Sequence, residues 1–262
     1  MEKTIIEHGG DIYSEGRLKG RELLDFSSNI NPLGIPQEFK DNIHKILEEA
    51  VNYPDLKYRE SKKRLSEYLN LPQEGEEILL GNGAAELIDL SLSLIKKLCI
   101  AVPSFGEYEG SALKHHVEVK YSYLTADMEY DYKDILESMK QCQGLIIGNP
   151  NNPNGGIINK KAFSDILDYC EKNSKLIIID EAFIEFTGCS ENSFLKEAME
   201  YSCLIVIRAV TKFFALPGIR FGYAVMSNSG AAEEIRKKQL PWNVNSFAEG
   251  ALKYIFKDKE YK

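Results

Sequence analysis

The sequence has 262 residues, 44% hydrophobic and 27% charged, with a formal net charge of −8. That apolar content supports a sizeable core and excludes a disordered or disulfide-dependent chain. The acidic balance leaves no basic stripe for nucleic-acid phosphates, and no segment approaches the roughly 20 apolar residues that span a bilayer. The length fits one large domain, or one domain and part of a second.

In chain order, Met1 to Asp11 lacks an apolar stretch and does not read as a secretion signal. Asn29-Ile30-Asn31-Pro32-Leu33-Gly34 marks an irregular, turn-rich entry before a helix over Gln37 to Glu49. Short apolar runs then alternate with amphipathic stretches. This pattern predicts an α/β fold with a mainly parallel sheet. Strands are expected at Ile78–Leu80, Leu98–Val102, Val117–Leu124, Gly144–Gly148, Lys175–Ile179, Cys203–Ile207 and Arg220–Val225. Helices are expected at Ala84–Lys97, Glu107–His115, Tyr132–Gln141, Lys160–Asn173, Gly230–Gln239 and from Val244 towards Phe256. Leu145-Ile146-Ile147 and Leu176-Ile177-Ile178-Ile179 lack polar alternation, as strands buried on both faces should.

The five cysteines, Cys99, Cys142, Cys170, Cys189 and Cys203, are scattered, with no C-x-x-C pair. They read as reduced, mostly buried residues of a cytoplasmic protein. The four histidines have no metal-site spacing, and the adjacent His115 and His116 diverge, so no structural metal is expected.

Polar clusters follow the apolar runs, where open α/β sheets place ligands. Gly81-Asn82-Gly83-Ala84-Ala85-Glu86 opens a helix whose N–H groups suit an anion, although an ordinary Asn-Gly turn reads equally well. Asn149-Pro150-Asn151-Asn152-Pro153-Asn154-Gly155-Gly156 sets carboxamides on a rigid frame. In Asp180-Glu181, a carboxylate at the end of an apolar strand needs a cationic partner; a capping aspartate is the alternative. Lys212 lies among aromatic and aliphatic residues, which depress an amine's pKa and favour Schiff-base chemistry. Thr211 and Arg220 beside it suit a phosphate, whereas Lys212 alone would also fit a snorkelling surface lysine.

Together, Gly-Asn-Gly-Ala-Ala-Glu, Asn-Pro-Asn-Asn-Pro-Asn-Gly, Asp-Glu-Ala-Phe and Thr-Lys-Phe-Phe-Ala-Leu-Pro-Gly-Ile-Arg resemble the ordered signature of fold-type I pyridoxal-phosphate aminotransferases. The resemblance implies a three-layer large domain over residues 51–245 with a mainly parallel seven-stranded sheet. It assigns 1–50 to an N-terminal arm and part of a small domain, and 246–262 to the start of an interdomain helix. A C-terminal remainder of about 100 residues, bearing the arginine that grips the substrate carboxylate, is expected to be missing. The cofactor implied is pyridoxal 5'-phosphate, with Lys212 as its Schiff-base lysine and proton-transfer base. Asp180 would keep its ring nitrogen protonated, Asn152 would bond its ring hydroxyl and Phe105 would stack on the ring. Gly83, Ala84, Ala85, Thr211 and Arg220 would bind its phosphate. Tyr53 resembles the tyrosine that reaches the neighbouring subunit's cofactor, which implies a homodimer.

His8-Gly9-Gly10, the stretch Asp25 to Gly34, Phe183 and Pro241-Trp242-Asn243-Val244-Asn245 resemble the threonine-phosphate decarboxylase branch of cobalamin biosynthesis. His8 and Asn29 would face a small phosphorylated amino-acid substrate; a mobile terminal histidine and a turn-forming asparagine are the plainer readings. In the histidinol-phosphate aminotransferases a tyrosine usually stands at the Phe183 position. Ala209 departs from the family's usual serine or threonine, a lost hydrogen bond of about 1.5–3 kcal/mol, partly covered by the other phosphate donors. The expected activity is decarboxylation of L-threonine O-3-phosphate to aminopropanol phosphate. The alternatives are an aminotransferase of histidinol phosphate or another amino acid, and a non-catalytic paralogue that keeps the fold.

Overall fold

A computed structural model describes residues 9–72, 75–258 and 261. Among them the apolar runs form β1 (Ile78–Gly81), β2 (Lys97–Val102), β3 (Glu118–Tyr123), β4 (Gly144–Gly148), β5 (Leu176–Asp180), β6 (Leu204–Ala209) and β7 (Gly222–Val225). They make one sheet in the order β1-β7-β6-β5-β4-β2-β3. The central strands are the ones without polar alternation: Leu145 pairs with Ile177 and Ile147 with Ile179, all fully buried. β7 runs antiparallel to both of its neighbours, and every other pairing is parallel. Gly222, the first residue of β7, therefore lies beside Ala209 and Gly81, the last residues of β6 and β1. Residues 210–221 leave and re-enter the sheet at the edge where the parallel strands end, which is where this topology gathers ligand-binding loops.

Helices cover both faces: α1 (Gln37–Glu49), α2 (Arg59–Leu69), α3 (Ala84–Leu92), α4 (Glu107–Lys114), α5 (Tyr132–Met139), α6 (Lys160–Lys172), α7 (Leu195–Glu200), α8 (Ser229–Lys238) and α9 (Ser246–Ala251). Strand side chains alternate between the faces, so Ile146, Ile178 and Ile205 pack with Leu87 of α3, Ala112 of α4 and Ile235 of α8. Leu145, Ile177 and Val206 pack on the other side with Met139 of α5, Phe163 of α6 and Ala248 of α9. This is the expected three-layer α/β architecture. Asp131, Asn159, Asn228 and Asn245 cap α5, α6, α8 and α9 by accepting from backbone N–H groups. No helix among the described residues is long and apolar enough to cross a membrane.

Several boundaries differ from expectation. α3 ends at Leu92 rather than Lys97, because Lys97 belongs to β2, paired with Glu118 of β3 and bridged to its carboxylate. β7 starts at Gly222 rather than Arg220, since Arg220 takes a left-handed conformation (φ 58°) that no strand accepts. α9 ends at Ala251, with turns continuing to Lys257. α2 and α7 were not anticipated. Each buries only a narrow stripe, Leu65 with Ser61 and Ser66 in α2 and Ala198 in α7, beneath a mostly charged sequence.

Candidate active site

The strand ends and the N-terminal arm surround a cavity of about 400 Å³. The first turn of a helix leaves N–H groups without intrahelical acceptors, and the first turn of α3, with Ala84 and Ala85, lines this cavity. Glu86 accepts from the Asn82 N–H at 2.7 Å and from the Asn243 amide at 2.8 Å, which ties the Pro241–Asn245 stretch to the same turn. Gly83 has φ +83°, and a Cβ there would lie 2.6 Å from Nη2 of Arg220, so glycine is what lets the guanidinium approach the helix start. Among the described residues Arg220 donates to the Pro217 carbonyl at 3.2 Å and forms no ion pair.

β7 makes this arrangement tight. A Cβ on Gly222 would lie 2.3 Å from the Ala84 nitrogen and 2.5 Å from the Gly83 carbonyl carbon, both backbone atoms. Gly222→Ala should therefore cost about 1–3 kcal/mol of stability by overpacking. It should also weaken anion binding at the α3 turn more than tenfold. Urea denaturation and cofactor titration read the two effects, and wild-type values in both would refute the close packing.

Lys212 and Thr211 follow β6 into the same cavity. Burial pushes the Lys212 amine below its ordinary range; the nearby Arg220 charge adds to this and Asp180 opposes it. Its Nζ lies 6.0 Å from the centre of the Phe183 ring. Asp180, at the end of β5, is 8% exposed. Its Oδ2 accepts from the Tyr108 hydroxyl at 2.7 Å and its Oδ1 from the Ala182 N–H at 3.0 Å. Burial raises its pKa, while these two bonds act against the rise. Phe105 lines the cavity with its ring edge-on to Tyr108, centres 5.7 Å apart.

The cation expected for the Asp180-Glu181 pair falls on Glu181. Strand residues alternate sides, so Asp180 faces the cavity while the fully buried Glu181 meets Nε of Arg208 at 2.9 Å, the Ser193 hydroxyl at 2.8 Å and the Phe194 N–H at 2.7 Å. The amide-rich loop divides its labour in the same way. Asn149 donates to the Asn192 carbonyl at 2.9 Å and accepts from the Ile158 N–H at 3.0 Å, and Asn151 donates to the Pro103 carbonyl at 3.0 Å. These amides hold the loop, and Asn152 lines the cavity.

The arm contributes Gly9, Ser27, Ser28 and Asn29 to the rim. Asp25 braces it, accepting from the Ser27 N–H and from both serine hydroxyls, and these bonds pull its pKa down to about 2. Asn31 fastens it: its N–H donates to the Lys212 carbonyl at 3.1 Å and its side chain to the Phe213 carbonyl at 2.9 Å. His8 lies outside the described residues. Tyr53 does not line the cavity; it is 80% exposed and its ring packs on Trp242, centres 4.7 Å apart. Sequence reasoning missed Tyr108, Ser27 and Ser28. Tyr108 stands in the same short segment as Phe105, but its contact is with Asp180, seventy-two residues away, which no local pattern marks.

A mainly parallel sheet with a desolvated lysine, a buried carboxylate and an arginine at a helix start is the arrangement that the resemblance to pyridoxal-phosphate aminotransferases implies. Residues 21–262 match the aminotransferase class I and II family, and the chain belongs to it. It is 40% identical to a Caldanaerobacter subterraneus subsp. tengcongensis protein provisionally named a threonine-phosphate decarboxylase, covering 97% of this chain and 68% of that one. Against threonine-phosphate decarboxylase of Salmonella typhimurium the identity is 33%, over 97% of this chain and 71% of that protein. The crystal structure of histidinol-phosphate aminotransferase from Clostridium acetobutylicum superposes with a TM-score of 0.88 at 53% identity, covering 91% of this chain and 71% of that one.

Pyridoxal 5'-phosphate is the cofactor of this family, and the cavity suits it. An arginine free of ion pairs among the described residues stands at an open helix turn for the phosphate. The Phe105 ring, a carboxylate without a direct cation among the described residues and an amine biased towards its neutral form complete the set.

Proposed function

We propose that this chain serves the decarboxylation of L-threonine O-3-phosphate to aminopropanol phosphate, a step of cobalamin biosynthesis. The reading is carried by the arm: the segment whose sequence resembles the decarboxylase branch supplies Ser27, Ser28 and Asn29 to the cavity rim. Phe183 on the cavity wall, lacking a hydroxyl, agrees with it.

When bound, the cofactor supplies an electron sink for the bond that breaks at the substrate Cα. Arg220, Thr211 and the amides of Ala84 and Ala85 would bind its phosphate and Asn152 would donate to its ring hydroxyl, whereas the Gly83 N–H, also expected to bind the phosphate, is taken by the Gly81 carbonyl at 2.8 Å. Phe105 covers one ring face, and Asp180 holds a proton at the ring nitrogen. Lys212, whose amine burial biases towards the neutral form, would hold the cofactor and move protons at the substrate Cα. The groups that orient the substrate carboxylate would decide between losing carbon dioxide and losing a proton. In this proposal Asn29, the two serines and His8 orient the phosphorylated substrate. Tyr53, standing outside its own cavity, reaches the cofactor phosphate of a second copy in a homodimer.

The second reading is an aminotransferase acting on histidinol phosphate, supported by the 53% identity to the Clostridium acetobutylicum structure. One experiment separates them. The purified chain is loaded with cofactor and given threonine phosphate, then histidinol phosphate with 2-oxoglutarate. Stoichiometric carbon dioxide from the first supports decarboxylation. Glutamate from the second without carbon dioxide from the first replaces it with transamination.

A further inference from the structure

The Asp180 carboxylate has two oxygens and, among the described residues, one hydrogen bond to each. The bond to Oδ1 comes from the backbone N–H of Ala182, two residues along, and any residue but proline would supply it. The bond to Oδ2 comes from a side chain seventy-two positions away, in the first turn of α4. Tyr108 is buried (2% exposed), and its ring sits edge-on to Phe105, whose carbonyl also accepts from the Tyr108 N–H at 3.1 Å. The same residue thus touches the carboxylate and the aromatic wall of the cavity.

We propose that Tyr108 is a positioning residue that holds Asp180 in the orientation and the ionised form in which it pairs with the cofactor's ring nitrogen. The inference rests on the cofactor roles proposed above. A carboxylate this deeply buried is driven towards its neutral form, which could not hold the ring proton. The charged groups around it act in opposing directions. Glu181, just past the end of β5, favours the neutral form, and Lys212, from the β6–β7 segment, favours the ion. Glu181 is itself neutralised by Arg208, and Lys212 is committed to the cofactor, so the donors from Tyr108 and Ala182 carry the balance. A phenol suits this task. Burial and the adjacent Asp180 charge, with Tyr130 nearby, push the hydroxyl well above its ordinary range, so it remains a donor wherever the enzyme works.

The test uses the 262-residue chain stripped of cofactor and titrated with pyridoxal 5'-phosphate across the acid side of neutrality. Visible absorbance reports binding, and circular dichroism checks the fold. Tyr108→Phe keeps the ring and removes the donor. It should bind about ten- to a hundredfold more weakly, the range for losing a hydrogen bond to a charged group. The pH below which binding collapses should also move up, because an Asp180 without this donor protonates more readily. Tyr108→His restores a donor and should recover binding at neutral pH; it also serves as the second variant if Tyr108→Phe does not fold. Wild-type affinity in Tyr108→Phe, or weaker binding with the acid limb unmoved, would overturn the proposal. A wild-type chain that binds no cofactor would instead overturn the assigned cofactor site, and this inference with it.

Discussion

Lys212→Ala should abolish covalent capture of pyridoxal 5'-phosphate and lower turnover by about 10²–10⁴, the span for removing a positioned proton-transfer group. Borohydride should fix the cofactor to the wild-type chain, with the label on the peptide containing Lys212, and leave the variant unlabelled. The pH dependence has a definite sign. Imine formation needs the neutral amine, and burial with the Arg220 charge places the Lys212 pKa below its ordinary value of 10.5. The rate of capture should therefore rise with pH and level off below that value. Arg220→Gln removes a cation that opposes protonation and should move the rise to higher pH. Asp180→Asn removes an anion that favours protonation and should move it to lower pH. Rapid-mixing absorbance across pH measures all three. A labelled Lys212→Ala chain, or shifts in the opposite directions, would refute the assignment of Lys212.

Arg208→Met should be the most destabilising of the substitutions considered. Glu181 has no exposure, and Arg208, itself buried, is its cationic partner; the guanidinium also donates to the Ser193 hydroxyl at 2.6 Å. Removing the arginine leaves a buried carboxylate without its counterion, which costs about 3–5 kcal/mol. For a chain of this size that is a fall of about 6–20 °C in melting temperature. Replacing both partners, Arg208→Met with Glu181→Leu, removes the stranded charge and should recover part of the loss. Thermal unfolding of the two variants decides the matter. A double variant no more stable than Arg208→Met would mean that packing, and not the pair, accounts for the loss.

The sequence pattern anticipated the sheet wherever chemistry and periodicity coincide. Strands buried on both faces have no polar residue to interrupt them, so β4 and β5 were legible from Leu145–Ile147 and Leu176–Ile179. The polar residues just after the strands then converged because parallel topology brings all those ends to one edge. Asp180, Asn152, Lys212 and Arg220 lie far apart in sequence and line one cavity. What stayed hidden depends on which strands are neighbours. The order β5-β4-β2 brings the α4 turn against Asp180 and makes Tyr108 its partner, and nothing local to Tyr108 encodes that distance. Likewise, which of Asp180 and Glu181 takes a cation follows from the phase of β5 and from Arg208 on the adjoining β6. Among the four asparagines of the loop, composition alone cannot separate those that brace it from the one that faces the cavity.

The two bonds from Asn31 to the Lys212 and Phe213 carbonyls have a consequence for how the molecule breathes. The Lys212 carbonyl accepts from the Asn31 N–H and from the Ala215 N–H at 3.2 Å, so detachment of the arm would remove one of the two bonds that fix this peptide group. The Asn31 amide, sequestered only while that seam is closed, becomes a reporter of it. Its hydrogen-exchange rate would count openings of the arm, each of which leaves the Lys212 peptide held by Ala215 alone.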